Sequence, residues 1–114
     1  MSLKMQTREV KGITIIDFSG RLTMGEACAA LRDEVRDQSG QGIHKILLNL
    51  AEVTYIDSAG LGELTAAYTT VKNRGGALKL LNLTKRVHDL MQITKLYTVF
   101  DVFDDEKQAI ASFA

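Results

Sequence analysis

The 114 residues contain no proline, one cysteine and no excess of either charge. Without proline, the nine glycines supply most of the punctuation between elements. A single cysteine, Cys28, excludes an intrachain disulfide and fits a reducing interior, so a cytoplasmic location is expected. Lys plus Arg and Asp plus Glu number 14 each, so no net field draws the chain to nucleic acid or to an anionic membrane. No nucleic-acid-binding motif is present either. The longest unbroken aliphatic run, Ile46-Leu47-Leu48, is far short of the ~20 residues a membrane-spanning helix needs. Met1 to Val10 is polar and alternating, unlike a secretory signal. Met1-Ser2-Leu3, ahead of a second methionine at Met5, is read as an expression remnant without function.

What is present suits one ordinary domain over residues 1–114. Apolar residues make up 46% of the chain, enough for one core, and charged residues 25%. Met5 to Val10 reads as a short, mostly polar edge strand. Lys11-Gly12 forms a tight turn with Gly12 at positive φ, and Ile13 to Ser19 completes a hairpin by alternating Ile13 and Ile15 against Thr14, Ile16 and Phe18. Gly20-Arg21-Leu22-Thr23 is expected to be a loop, with Thr23 capping a helix that begins at Met24 and buries Cys28, Leu31 and Val35. Ser39-Gly40-Gln41-Gly42 ends that helix. Ile46 to Leu50 is aliphatic on both faces apart from Asn49, as in a central strand covered by helices. Ala77 to Leu83 is a further buried strand. Thr84 caps a helix with Val87, Leu90, Met91 and Ile93 inward. Val99 to Phe103 is the last strand, and Asp104-Asp105-Glu106 opens a final helix that packs through Ile110 and Phe113. After the hairpin, strands and helices alternate, which implies an α/β fold with a mostly parallel sheet and right-handed crossovers.

The chain is organised around Tyr55-Ile56-Asp57-Ser58-Ala59-Gly60-Leu61-Gly62. Here a strand pattern ends and a helix pattern begins, and the helix closes at Gly75-Gly76. At 100° per residue, Gly60, Leu61, Leu64, Ala67, Tyr68 and Val71 form one arc that should face the sheet. The opposite arc, Ser58, Ala59, Gly62, Ala66, Thr69, Thr70 and Asn73, is small and almost uncharged. A merely solvated helix face carries Lys and Glu, so this one suits close approach by another molecule. Helix N-termini favour negatively charged oxygen. Ser58 is therefore placed either as a first-turn structural serine or as the carrier of a phosphate, bound or covalent. Two features favour the second reading. Asp57 is itself an excellent cap, which frees the Ser58 hydroxyl. Gly60 and Gly62 each cost roughly 1 kcal/mol in a helix relative to Ala, and so call for close backbone approach or a partner.

Catalysis by Ser58 lacks a base. The only histidines are His44, before a strand, and His88, within a helix. A nucleophile elbow would place glycine where Ile56 stands. The histidines have no metal-ligand spacing, and Cys28 lies on an apolar face. Gly60-x-Gly62 lacks the third glycine of a dinucleotide fingerprint, and there is no Walker lysine. Asp104-Asp105-Glu106 is explained by a helix start. The sequence presents no enzyme active site and calls for no metal or cofactor.

Asp57-Ser58-Ala59-Gly60-Leu61-Gly62 resembles the Asp-Ser-x-Gly-Leu-Gly signature of the STAS domain in its stand-alone bacterial form, the anti-sigma factor antagonist. The likeness runs from about Met5 to Phe113. It includes Gly20-Arg21-Leu22, Asn49-Leu50, Asn73-Arg74-Gly75-Gly76 and Asp105 to Phe113. The resemblance implies an α/β fold with a mostly parallel five-stranded sheet, an N-terminal hairpin and about four helices. It implies that Ser58 is phosphorylated by a partner that is both anti-sigma factor and ATP-dependent serine kinase. The unphosphorylated form would bind that kinase and free a sigma factor, and a metal-dependent, PP2C-like phosphatase would restore the serine. Partner contacts would then fall on Thr23, Met24, Asp57, Ser58, Ala59, Gly60, Gly62, Ala66, Thr69 and Asn73. Many antagonists have Asp where this chain has Thr23, which removes a negative charge near the site. Two other uses of the same fold are a constitutive subunit of a transport ATPase or signalling assembly, and a nucleotide-binding module. Zero net charge and one small patch suggest a monomer or weak dimer.

Overall fold

The computed structural model describes residues 3–114; Met1 and Ser2 lie outside the described residues. In chain order the elements are β1 (Leu3–Val10), β2 (Ile13–Leu22), α1 (Glu26–Gly40), β3 (Lys45–Ile56), α2 (Ser58–Asn73), β4 (Ala77–Leu81), α3 (Lys85–Thr94), a 3-10 turn (Leu96–Thr98), β5 (Val102–Phe103) and α4 (Glu106–Ala111). The five strands lie in the order β1-β2-β3-β4-β5, with β1 antiparallel to β2 and the remaining pairs parallel. The expected α/β sheet with an N-terminal hairpin and β1 at an edge is what forms.

Local chemistry accounts for the hairpin. Val10 pairs with Ile13 and leaves a two-residue loop in which Lys11 (φ 52°) and Gly12 (φ 79°) are both left-handed. That geometry matches the twist of the flanking strands. Beyond the turn, the alternation of β2 splits the molecule. Ile16 and Phe18 enter a large core with α1, α2 and α3, while Ile13 and Ile15 enter a smaller one with Leu47, Leu81 and Ala109 of α4. Among the described residues, three helices therefore cover one face of the sheet and α4 alone covers the other.

Several boundaries differ from the sequence-based expectation. Leu3, given no role in the sequence reading, is 3% exposed and packs in the larger core, because β1 extends to pair Leu3 with Gly20. Gly20-Arg21-Leu22 is strand and not loop, since β2 continues beside a much longer β3, with Arg21 opposite Tyr55 and Leu22 opposite Ile56. Register shifts in that second half break the alternation, which is why Ala51 to Thr54 did not read as strand. Thr23 does not cap α1. Gly25, with φ 100° and no side-chain cap, occupies that position, and Met24 precedes the helix. β4 stops at Leu81, where Asn82 turns left-handed (φ 59°). Thr84 does cap α3, accepting the Val87 N–H at 3.3 Å. Ile93, expected to face inward, is 78% exposed, because Val87 and Met91 set the inner line and Ile93 stands across the helix from Met91. The last strand is confined to Val102–Phe103, since Lys95 (φ 61°) ends α3 and the 3-10 turn takes up the chain that follows.

Candidate functional site

β2 and β3 end side by side, so the turn into α1 and the turn into α2 open at the same edge of the sheet. Asp57 joins the two turns. It is the N-cap of α2, and its Oδ1 accepts the Gly60 N–H at 2.8 Å. Its Oδ2 accepts the Met24 N–H at 3.0 Å. Those two backbone donors, Met24 before Gly60, hold the carboxyl below the usual carboxylate range. The charge is thus kept at neutral pH and lies at the positive end of the helix. Asp57 was expected at the partner contact; both of its oxygens are engaged in fastening the two loops that would carry one.

The two glycines of the signature separate here. Gly60 is buried, and a Cβ built on it would overlap the Leu22 carbonyl oxygen. It was expected among the partner contacts, but its reason is internal: α2 can approach the end of β2 only without a side chain at this position. Gly62 is exposed, and a Cβ there meets nothing within 4 Å.

Ser58 is the first residue of α2 and is exposed, and its hydroxyl makes no hydrogen bond among the described residues. Gly62, Ala66, Thr69 and Asn73 continue outward along the helix, all exposed, with Ala59 half-buried beside them. The Thr69 hydroxyl donates to the Thr65 carbonyl at 3.1 Å, so its polar group is already satisfied within the helix. The result is a low, weakly polar strip. Met24 stands at its head, 78% exposed, with Thr23 half-buried next to it. Glu63 and Arg32 bridge α2 and α1 at 2.7 Å along the flank. The inward arc is as expected: Gly60, Leu61, Leu64, Ala67 and Val71 are buried, while Tyr68 packs at the margin, its ring edge-on to Phe100 at 5.5 Å.

His44 lies just before β3, at its far end, and His88 pairs with Asp89 at 3.5 Å on α3. Among the described residues, no group of three His, Cys, Asp or Glu side chains could hold a metal ion.

Sequence reading missed two arrangements. Arg21 and Arg86 both lie over the Tyr55 ring, at 4.9 and 4.3 Å, and join β2, β3 and α3 beside the site. On the α4 side a polar line crosses the sheet. Arg8 holds Asp17 at 2.7 Å and Glu106 at 2.7 Å, Asn49 donates to Asp17 at 2.8 Å, and Asn82 donates to Asn49 at 3.3 Å. The sequence signal was only polar residues at inward-alternating positions of strands, Asp17 and Asn49.

The chain matches the STAS domain family over residues 4–109. It belongs to that family. Among curated relatives, this STAS domain is 26% identical to the anti-sigma F factor antagonist of Paenibacillus polymyxa, over 96% of this chain and 94% of that protein. It is 29% identical to the anti-sigma-B factor antagonist of Bacillus subtilis (strain 168), over 90% and 92%. Among solved structures, it superposes on the Bacillus cell fate determinant SpoIIAA in its phosphorylated form with a TM-score of 0.74. That superposition covers 97% of this chain and 100% of the other at 20% identity, a likeness of fold.

Proposed function

We propose that this STAS domain is a cytoplasmic anti-sigma factor antagonist switched at Ser58. In its unmodified form it binds a protein that is both anti-sigma factor and ATP-dependent serine kinase, and so releases a sigma factor. The kinase then transfers the γ-phosphoryl group of ATP to Ser58 Oγ. The bond to the ADP oxygen breaks, the new P–O bond forms and the hydroxyl proton is lost. The modified protein leaves, and a PP2C-like phosphatase hydrolyses the ester. In this reading the protein is a substrate and a binding partner, a monomer or weak dimer, with no direct contact to nucleic acid.

The observation that carries the reading is the exposed Ser58 hydroxyl, without an internal partner, at the head of a helix whose outward strip is small and weakly polar. A phosphoserine adds roughly −1.5 to −2 charges at pH 7. On the free protein, solvent and the helix terminus absorb most of that charge. In an interface water is excluded, and two unit charges ~4 Å apart interact by about 4 kcal/mol at an effective dielectric of ~20. At ~1.4 kcal/mol per tenfold, the modification weakens binding by up to about a thousandfold. It acts on association and leaves folding stability nearly unchanged.

Incubation with the cognate kinase and ATP is expected to add one phosphate, read by intact-mass spectrometry, and none to Ser58→Ala. Ser58→Asp should lose kinase binding while melting like the parent. Labelling at another residue, or full affinity in Ser58→Asp, rejects the reading.

A further inference from the structure

At the end of β3 opposite Ser58, α4 leaves an open trough of about 650 Å³ between itself and the hairpin turn. Its floor is apolar: Val10, Ile13, Ile110 and Phe113. Its rim carries Lys11 of the hairpin turn, Lys45 at the start of β3 and Lys107 of α4. All three lysines are exposed, and among the described residues none has a carboxylate within ion-pair distance. The acidic side chain lining the trough, Glu106, is already held through both oxygens by Arg8, at 2.7 and 3.1 Å. Lys79 is committed elsewhere. It donates to the Ser112 carbonyl and hydroxyl at 2.9 and 3.0 Å and lies 4.7 Å from the centre of the Phe113 ring, bracing the floor.

An apolar trough with three lysines on its rim, none ion-paired among the described residues, is complementary to an apolar ligand that carries several negative charges. A fatty acid brings one carboxylate and would leave two of the three lysines unanswered. A second copy packed trough to trough would set its own lysines against them. Carboxylates spaced along a peptide can reach three cations that come from three different elements, with an aliphatic or aromatic side chain seated between them. We propose that this trough docks a short acidic and aliphatic segment of a partner protein. The site is separated from Ser58 by the whole length of β3.

The test is selection of a random displayed-peptide library on the immobilised full chain, followed by titration of the recovered peptides against isotope-labelled protein. The expected pool is enriched in Asp and Glu interleaved with Leu, Ile or Phe. It shifts the backbone amides of Lys11, Lys45, Lys107 and Ile110, weakens as salt rises, and loses roughly tenfold or more in affinity for K11E/K45E/K107E. A melting curve verifies that the triple variant is folded; if it is not, K107E alone carries the same comparison. A pool without acidic enrichment, equal affinity for the variant, or shifts confined to α2 each overturn the proposal. So does dodecanoate shifting the trough amides where the peptides do not. Self-association that the triple variant abolishes, measured by sedimentation, assigns the trough to a second copy and overturns it likewise.

Discussion

Gly60 and Gly62 lie in the first turns of one helix, two residues apart, and their surroundings are opposite. Gly60 is wedged against the Leu22 carbonyl; Gly62 faces open solvent. Both carry the same helix penalty, yet only the first is offset inside the molecule. Glycine in a helix is thus not one signal. The inner one lets α2 seat against the end of β2, whereas the outer one meets nothing in the chain and is the one assigned to a partner in the proposed function.

The sharpest way to break that contrast is Gly60→Ala. The new methyl meets a main-chain oxygen, so the strand end or the helix must shift, and overpacking of this kind costs about 3 kcal/mol. Urea unfolding should show that loss as a lowered midpoint. Next in size is Asp57→Ala, which removes the cap and the link to Met24 together. About 1–2 kcal/mol is expected, along with faster amide exchange at Met24 and Gly60.

Acid probes the same strut. The Asp57 carboxyl is depressed by the Met24 and Gly60 N–H groups, and those of Asp17 and Glu106 chiefly by their hydrogen bonds to Arg8. Each binds its proton less readily in the folded than in the unfolded chain. Their contribution is therefore complete above the ordinary carboxylate values near pH 4 and is lost as pH falls through the depressed folded ones. Stability should decline below about pH 4, and less steeply in Asp57→Ala. Smallest, and opposite in sign, is Gly62→Ala. It should stabilise the fold by about 0.5–1 kcal/mol while reducing kinase affinity in a pull-down titration. Unchanged affinity would leave the outer glycine without the role given to it here.

Much of this was legible from local chemistry. Lys11-Gly12 announced the hairpin, Asp57 and Thr84 announced their helices, and the arc from Gly60 to Val71 predicted the buried side of α2. What was hidden depended on distant partners. The reason for Gly60 is Leu22, and nothing near Gly60 in sequence reveals it. The length of β3 was obscured because irregular pairing shifts its faces midway, so that Val53 falls out of step with Ile46, Leu48 and Leu50 before Ile56 returns to the core. Leu3 looked dispensable because its burial requires β1 to pair back to Gly20. Hydrophobicity points Ile93 inward, whereas its angular position, opposite Met91, places it outside. Of the site, the serine, its cap and the weakly polar strip could be read in advance. That Asp57 ties the two loops together could not, since the Met24 N–H carries no signature in sequence.

Arg8 and Glu106 meet across 98 positions of sequence. During biosynthesis the first hairpin leaves the ribosome long before the carboxylate that completes its arginine exists. Until then Ile13, Ile15 and Leu47 form a bare aliphatic patch, because among the described residues α4 alone supplies helical cover to them. The arrival of α4 therefore marks the point at which the smaller core is closed. A truncated copy that lacks this helix would display the greasy surface that chaperones and proteases recognise, whatever the state of Ser58.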